Sequence, residues 1–366
     1  TRRGYKGKNN MSPSEYMTLS DITKATNGGK APISLIVDEF SKPLTLLKDL
    51  PVRQATDKFE DNGSFIEPWE YNKHSETTDL DSGTALHKLD TYSRKDFIGY
   101  RDTGIGIRKR EYIAAGADGK LWRAKQLFAL SQYMSLDMEH DFFYGDPTVD
   151  AKQTLGLYPR FGVLTDLDGV VQAGAHSGEV TPYVTIDAGG TAEKNGSLGS
   201  IFILHMSNND GCCMIYPKDS GEYSNGILYR TGEFTQVQKT RTNGVTEVMD
   251  EAADTIEMMA GLSILSRQSA ARIANIDFYS KEGLDKFNEA LYEAIESFPV
   301  NYQRSLMIYC PQMAVPKLKV YYNSRLAAAT YSDAKPQNLT GDFFIDDPSL
   351  MFRKTPMMKL TESKIS

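Results

Sequence analysis

The clearest pattern along the chain is a run of apolar residues spaced three and four apart, between about Gly119 and Tyr144. That spacing predicts a helix with one apolar face. The face comprises Leu127, Leu130, Met134, Met138 and Phe142. Gly145 and Pro147 follow at once, and both are typical of a helix end. At 1.5 Å per residue the helix would be about 38 Å long, which indicates a spine along an elongated subunit.

A second core is predicted where strands and helices alternate, from Gly162 to about Thr330. The continuous apolar run 201–204 (IFIL) predicts a buried central strand. Residues 281–298 predict an amphipathic helix that ends at Pro299. Its apolar face comprises Leu284, Phe287, Leu291, Ile295 and Phe298. Late apolar runs at 343–345 and 351–352 predict strands that return to the first core.

Two polar stretches contain too few apolar residues to order themselves. Residues 1–30 predict an arm that becomes ordered only on another surface, for which a neighbouring subunit is the natural candidate. Residues 72–83 predict a long loop between an outgoing strand at 64–67 and a returning strand near 97–107. Loops of this length are usually functional or disordered. A short helix is predicted to end near Pro51.

Composition narrows the class of protein. With 366 residues the chain can form two subdomains or one elongated body. A formal charge of -7 disfavours a protein whose main function is to bind nucleic acid tightly. Three cysteines cannot form a disulfide framework and suit a reducing compartment. The sequence has neither an apolar run of about eighteen residues nor a signal-peptide pattern, so we expect no membrane span and no secretion by that route.

Histidines and cysteines form no recognisable catalytic or metal-binding set. None of the five histidines pairs with another at the spacing of a helical zinc site. A loop-borne metal site at His74 and His87 is conceivable but is disfavoured against a solvated loop, and His205 suits a hydrogen-bonded strand position. Adjacent Cys212 and Cys213 point to opposite faces of a strand, so burial is favoured over a nucleophilic role. No cofactor and no metal are expected.

The glycine turns and acidic groups of the sequence do not match the motifs of known ligand-binding loops. Gly104 and Gly106 lack the third glycine of a dinucleotide loop, and a glycine-bent strand is favoured. Residues 187–190 (DAGG) favour a tight turn over a phosphate site. Residues 166–169 (DLDG) do not fit a calcium loop, because the glycine comes too early and the closing glutamate is absent. The acidic residues Asp250, Glu251 and Asp254 are interpreted as a solvated approach to an apolar segment.

Arg272 lies among alternating apolar residues in the segment 272–277 (RIANID). If it is buried, its guanidinium requires a partner, and Asp277 is the candidate. The alternative is an ordinary arginine at a sheet edge. Neither interpretation is catalytic.

An ordered series of motifs resembles the middle of a tailed-phage major capsid protein of the short-tailed kind. The series runs 184–190 (VTIDAGG), 200–205 (SIFILH), 214–219 (MIYPKD) and 272–277 (RIANID). Upstream, 19–25, 142–146 and 156–161 resemble the family's N-terminal helix, the exit of its spine helix and the loop that follows. The segment 221–226 replaces a shorter glycine turn, and 346–353 matches the closing strand only loosely.

The resemblance implies an α+β chain with the Hong Kong 97-type capsid fold. Residues 1–58 would form an N-terminal arm and a short helix, and 59–112 an extended β-loop that overlaps the adjacent subunit. Residues 113–161 would form a peripheral domain with the spine helix, 162–330 an axial domain, and 331–366 a return to the peripheral domain. Structural or assembly roles are expected for Leu127, Met134, Met138, Tyr216, Pro217, Lys218, Arg272 and Asp277.

The implied function is self-assembly into hexamers and pentamers of an icosahedral head shell around packaged phage DNA. The implied partners are other copies of the chain, a scaffolding function, a portal and decoration proteins, with non-specific DNA contact and no membrane. The expected location is the virion capsid, after synthesis in the host cytoplasm. The alternative is an α+β enzyme with a scattered active site. The absence of a compact catalytic set and the two polar extensions favour the shell protein.

Overall fold

A computed structural model describes residues 46–66, 91–116, 119–167, 169–172, 177–178, 181, 183–191, 197–218, 226–240, 244, 246–303, 305–322, 352–360 and 362–365. The helices are α1 (Leu46–Asp49), α2 (Lys109–Ala114), α3 (Gly119–Tyr144), α4 (Leu157–Arg160), α5 (Lys281–Glu296) and α6 (Val300–Gln303). The strands are β1 (Val52–Gln54), β2 (Glu60–Ile66), β3 (Thr91–Phe97), β4 (Gly99–Arg108), β5 (Val184–Asp187), β6 (Gly199–His205), β7 (Cys212–Tyr216), β8 (Ile227–Arg230), β9 (Thr235–Thr240), β10 (Thr246–Ile264), β11 (Ala270–Ile276), β12 (Leu306–Pro311) and β13 (Phe352–Thr355).

The predicted spine is α3, a helix of 26 residues. Four residues of the predicted face are buried, and Leu130 is half-buried; the buried four are Leu127, Met134, Met138 and Phe142. Gly145 ends the helix, and its amide donates to Asp141 O at 2.8 Å. A Cβ at Gly145 would lie 2.4 Å from Thr154 O, so only glycine fits this close approach. The periodicity therefore predicted both the helix and its buried side.

The spine packs on a six-stranded sheet in which β10 is the longest strand, with 19 residues. β10 pairs with β9, β4, β8 and β7 in antiparallel register. Every second residue from Ala252 to Ile264 is buried, and most of this face packs in the core that contains the spine. β10 also pairs with β4 over ten positions, so this part of the segment 162–330 packs with the spine.

A five-stranded sheet separates the two main cores, with β6 at its centre in the order β13-β12-β6-β11-β5. Successive residues of a strand point to opposite faces. Phe202 therefore packs in the core that contains the spine, whereas Ile201 and Ile203 pack in the second core beneath α5. Burial on both faces explains why β6 is a continuous apolar run. The prediction of a buried central strand at 201–204 is confirmed.

Helix α5 covers the second core with the face predicted from its sequence. Leu284, Phe287 and Leu291 are buried, and the Ser280 side chain caps the helix by accepting from the Gly283 amide at 3.0 Å. Phe298 beyond the helix end is buried as well. Amphipathic spacing thus located this helix correctly.

The late strand β13 pairs with β12 in the five-stranded sheet, and Phe352 lies in the second core. The predicted return of residue 352 to the first core is therefore wrong. The apolar residues of a strand do not indicate which sheet it joins, and the pairing with β12 places β13 in the five-stranded sheet. Met358, further along, does pack in the core that contains the spine. The predicted strand at 343–345, the arm at 1–30 and the loop at 72–83 lie outside the described residues.

Replacing Met134 with Asp tests the buried side of the spine. Met134 is 3% exposed, so we expect a loss of about 2 to 5 kcal/mol from the missing side chain. A buried unpaired carboxylate adds several more, which approaches the whole stability of a domain. The exposed Lys125 gives the matched control, since Lys125→Asp should cost within about 0.5 kcal/mol. Soluble expression and thermal melting of both variants provide the comparison, and a soluble Met134→Asp with an insoluble Lys125→Asp would contradict the assignment.

Candidate assembly elements

Two β ribbons extend from the sheets, and we call them the first and second ribbons. The first ribbon is β2 paired with β3, in register from Glu60↔Phe97 to Ile66↔Thr91. Its two described ends are joined by residues 67–90, which contain the predicted polar loop. The second ribbon is β9 paired with residues 246–251 of β10. Exposed side chains dominate its described part, including Val248 at 60% exposed.

A buried cluster of charged groups lies at the base of the first ribbon, and we call it the charged cluster. Asp61 and Asp96 are fully buried, and Arg94 lies between them. Arg94 Nη2 donates to Asp61 Oδ2 at 2.8 Å, and Arg94 Nη1 donates to Asp96. Arg160 reaches the other oxygen of Asp96 at 2.6 Å, and Arg53 lies 3.4 Å from Asp61. Each buried carboxylate is thus held between two guanidinium groups.

The charged cluster is also hydrogen-bonded to β10 and to Tyr183, which precedes β5. Arg94 donates to the Ser263 hydroxyl, and Arg160 Nη2 donates to Leu262 O at 2.8 Å. Arg160 Nη1 donates to the Tyr183 hydroxyl at 2.9 Å. Burial opposes the charged guanidinium, but Asp96 outweighs it, so the pKa of Arg160 lies above its ordinary value. Arg160 therefore stays charged, and its hydrogen bonds attach the base of the ribbon to the sheet.

The predicted residues Tyr216, Pro217 and Lys218 lie beside the same base. Tyr216 O accepts from the Ala55 amide at 2.9 Å, and the Lys218 amide donates to Asp57 O at 3.3 Å. Pro217 is buried between them. These bonds hold the turn that leads from β1 into β2. The structure thus places residues 216–218 next to the first ribbon, a position that the sequence analysis did not predict.

Arg123 on the spine and Asp254 on β10 fix the base of the second ribbon. Arg123 Nε donates to Asp254 Oδ2 at 2.6 Å, and Arg123 Nη2 donates to Gly232 O at 2.7 Å. The Gly232 amide donates to Asp254 Oδ1 at 3.0 Å, just before β9 begins. The hydrogen bond with Asp254 raises the pKa of Arg123 despite partial burial.

Asp254 is fully buried, so its interpretation as part of a solvated approach is wrong. The period of two in β10 would have revealed this, because it places Asp254 on the same face as Ala252 and Ile256. A carboxylate on a buried face requires a cationic partner.

Arg272 is buried at 3% exposed and pairs with Glu362 at 2.9 Å, which excludes the edge-arginine alternative. It also donates to Phe161 O at 2.8 Å, and its guanidinium stacks over the Tyr158 ring at 4.6 Å. The prediction that Asp277 is the partner of Arg272 is wrong. Asp277 instead accepts hydrogen bonds at the start of α5, from the Tyr279 amide at 2.9 Å and from the Ser280 hydroxyl at 2.7 Å.

The three cysteines and His205 are all buried. Cys212 and Cys213 are buried in different cores, as their opposite directions predicted. Burial raises the pKa of the Cys213 and Cys310 thiols to about 12, so neither is a ready nucleophile. His205 Nδ1 lies 2.8 Å from the Ser305 hydroxyl, which confirms a hydrogen-bonded strand histidine.

Within the part of the chain that the structure describes, no group of three or more His, Cys, Asp or Glu side chains could hold a metal ion. In the same residues, no helix combines the length and apolar character needed to cross a membrane. The segment 187–190 forms a turn in which Gly189 has φ +65 and Asp187 Oδ1 accepts from the Gly189 amide at 2.9 Å.

Comparison with known proteins adds sequence and fold relationships. A family model described as major capsid protein GP7 matches residues 36–366. No curated protein matches the chain. A chain in the structure of bacteriophage Epsilon15 is similar with a TM-score of 0.57 and 13% identity, over 89% of this chain and 90% of that chain. A chain of the bacteriophage JBD30 capsid is similar with a TM-score of 0.41 and 11% identity, over 76% of this chain and 83% of that chain.

Asp96→Ala tests whether the buried charges hold the first ribbon. Removing this carboxylate leaves the buried Arg160 without the carboxylate that compensates it, while Arg94 keeps Asp61; an uncompensated buried charge typically costs about 3 to 5 kcal/mol. The adjacent Lys95 is a matched control, because its side chain is 52% exposed and pairs with the partly exposed Glu60 at 2.8 Å. Lys95→Ala should cost at most about 1 kcal/mol. Urea unfolding of unassembled subunits measures the free energy of unfolding of both variants. Equal losses in the two variants would refute the structural role of the charged cluster.

Because His205 is buried, we expect the subunit to lose stability in mild acid. Burial is the main cause that lowers its pKa below 6.5, although Asp210 opposes the shift. The unfolded chain therefore binds a proton more readily than the native subunit, so stability is full above about pH 6.5 and falls as pH falls through the folded value. His205→Gln should show a smaller decrease between pH 7.5 and pH 5.5. Thermal melting of both proteins at the two pH values checks this, and parallel decreases would rule it out.

Proposed function

Because this chain belongs to the major capsid protein GP7 family, we propose that its subunits form closed hexamers and pentamers that join into an icosahedral head shell around packaged phage DNA. The family match covers 331 of 366 residues, from 36 to 366. The chain is a self-assembling capsid protein with the Hong Kong 97-type α+β fold, and it is a component of the virion. The family is structural, so the alternative of an α+β enzyme is not supported.

The observation that carries the assembly mechanism is the pair of ribbons with buried charged bases. A two-stranded ribbon is marginally stable alone and needs other surfaces to pack against. Here each ribbon has its base fixed to β10 by arginine and aspartate side chains, while the rest of the second ribbon is largely exposed. This arrangement suits contact elements that hold a set direction toward neighbouring subunits. Residues 67–90, which continue the first ribbon, would overlap the adjacent subunit.

Closed rings require heterologous contacts, in which one surface of a subunit meets a different surface of the next. Many weak contacts of this kind become strong together once the shell closes. The arm at residues 1–30 would add contacts across ring boundaries. The axial domain, in this proposal, is built around the five-stranded sheet and α5, and the peripheral domain around the spine and β10.

Further partners follow from membership of the family rather than from a described contact. A scaffolding function would direct assembly, a portal would occupy one vertex, and decoration proteins would bind the outer surface. Packaged DNA would touch the inner surface without sequence reading, in keeping with the net charge of -7. Synthesis would take place in the host cytoplasm. Electron microscopy of the purified protein tests the core of the proposal, because shells or rings support it and a stable compact monomer opposes it.

Deleting residues 72–86 and closing the gap with a short glycine linker tests the overlapping loop. Ile66 and Thr91 are direct register partners, so a short linker can join the ribbon without disturbing its buried base. We expect a folded subunit that forms no stable shells. Circular dichroism reports the fold, and sedimentation with electron microscopy reports assembly. The exposed-site variant Lys125→Asp serves as the assembling control, and normal shells from the deletion variant would exclude this role for the loop.

A further inference from the structure

The described residues 356–360 and 362–365 follow β13 and contact both main cores, and we call them the strap. Met358 packs in the core that contains the spine. Leu360 packs against the second core. The strap therefore joins the two sides of the five-stranded sheet near the start of β6.

Glu362 attaches the strap to the sheet through its main chain and its side chain. Its amide donates to Leu198 O at 3.0 Å, and its carboxylate pairs with Arg272 at 2.9 Å. The Ser200 hydroxyl donates to the same carboxylate oxygen, and the Tyr158 hydroxyl donates to the other. Arg272 is buried, so detaching the strap would remove the carboxylate that compensates its charge.

Asn275 holds the end of the strap. Its Oδ1 accepts from the Ile365 amide at 2.8 Å, and its Nδ2 donates to Ile365 O at 3.0 Å. Nδ2 also donates to Asp187 Oδ1 at 2.9 Å. Asn275 has φ 55, a left-handed conformation that asparagine and glycine adopt more readily than other residues. An asparagine at this position supplies both the backbone conformation and the two hydrogen bonds to the strap.

These attachments are few, so the strap can open while both cores stay folded. Backbone-to-backbone hydrogen bonds join the described strap to the sheet at Glu362. By contrast, β11 and β6 pair directly with each other, and α5 packs on β11 without the strap. Segments held by few contacts open locally at a lower free energy than a whole domain. Opening would expose Met358 and Leu360 to water and leave the charge of Arg272 uncompensated.

We propose that the strap opens and closes as a unit, and that a subunit joins a ring only while its strap is closed. The proposal rests on the ring assembly proposed above and names the conformation of the subunit that assembles. An open strap uncovers apolar surface of both cores, and exposed apolar surface favours wrong contacts. Because only the closed fraction assembles, the critical concentration for assembly rises in inverse proportion to that fraction.

Hydrogen exchange of the strap amides measures opening, because the Glu362 and Ile365 amides are hydrogen-bonded while the strap is closed. In the wild type, exchange should be at least about tenfold slower in shells than in free subunits, since assembly selects closed subunits. Equal exchange in wild-type shells and wild-type free subunits would overturn the proposal.

Asn275→Gly weakens the strap without a change of charge. It removes both hydrogen bonds to Ile365 and keeps the left-handed backbone, since glycine adopts positive φ freely. Exchange of the strap in free subunits should become about fivefold faster or more. Asp187→Ala is the matched control, because it removes the third hydrogen bond of Asn275 and leaves the two bonds to the strap. Its exchange should stay within about twofold of the wild type.

Glu362→Lys tests the link to assembly, because it places like charges at Arg272 and should hold the strap open. Light scattering across a protein concentration series should show a critical concentration about tenfold higher or more. Circular dichroism of free subunits should show the wild-type fold. Fast strap exchange in this variant together with wild-type assembly would overturn the proposal while leaving shell formation intact. A wild-type protein that forms no rings or shells would instead overturn the proposed function.

Discussion

Buried pairing between arginine and aspartate on and around β10 is the constraint on which the arrangement of the subunit depends. Moving a carboxylate out of water costs several kcal/mol unless a cation compensates it. Asp96 and Asp254 are both fully buried, and each lies against an arginine from another part of the chain. Rotating either ribbon about its base would separate these pairs and leave charges unpaired in the protein interior. The cost of that separation keeps the ribbon directions fixed.

Strand β10 contacts the bases of both ribbons because it is long and its two faces bind different parts of the subunit. Its alternate residues from Ala252 to Ile264 face the interior, where most of them pack with the spine, and Asp254 among them binds Arg123. Ser263, on the opposite face, accepts from Arg94 at the first ribbon. The main-chain oxygen of Leu262 accepts from Arg160 between them. A change in the position of β10 would therefore disrupt contacts at the spine and at both ribbon bases.

Sequence patterns predicted the elements whose stability is local. The periodicity of α3 and α5 and the apolar run of β6 placed these elements and their buried sides correctly. The full length of β10 was missed, because acidic residues near its start suggested solvent even though the period of two continued through Asp254. Pairing partners were missed for a different reason. Arg123 and Asp254 are 131 positions apart, and Arg272 and Glu362 are 90 apart, so no local pattern joins them.

The same distinction applies to the residues that the sequence analysis named as candidates for structural or assembly roles. Motif resemblance identified Tyr216, Pro217 and Lys218, yet their role in holding the turn before β2 depends on a parallel pairing of β1 with β7. Arg272 was recognised as an arginine that needs a partner if buried, and the structure supplies one from the C-terminal segment. A composition rule can state that a buried charge must be compensated. Only the folded topology can state which distant residue compensates it.

The contrast in strength between interior and surface charges has a consequence for assembly. Breaking a buried pair by removing one partner costs about 3 to 5 kcal/mol, whereas an exposed pair contributes at most about 1 kcal/mol. The pairs at Asp96 and Asp254 belong to the first class, and the exposed pair of Lys95 with Glu60 belongs to the second. A subunit with a rigid interior and weak surface contacts can dissociate from a wrongly joined ring without losing its own fold. Errors are then corrected while few contacts have formed, and the closed shell becomes stable through the number of its contacts.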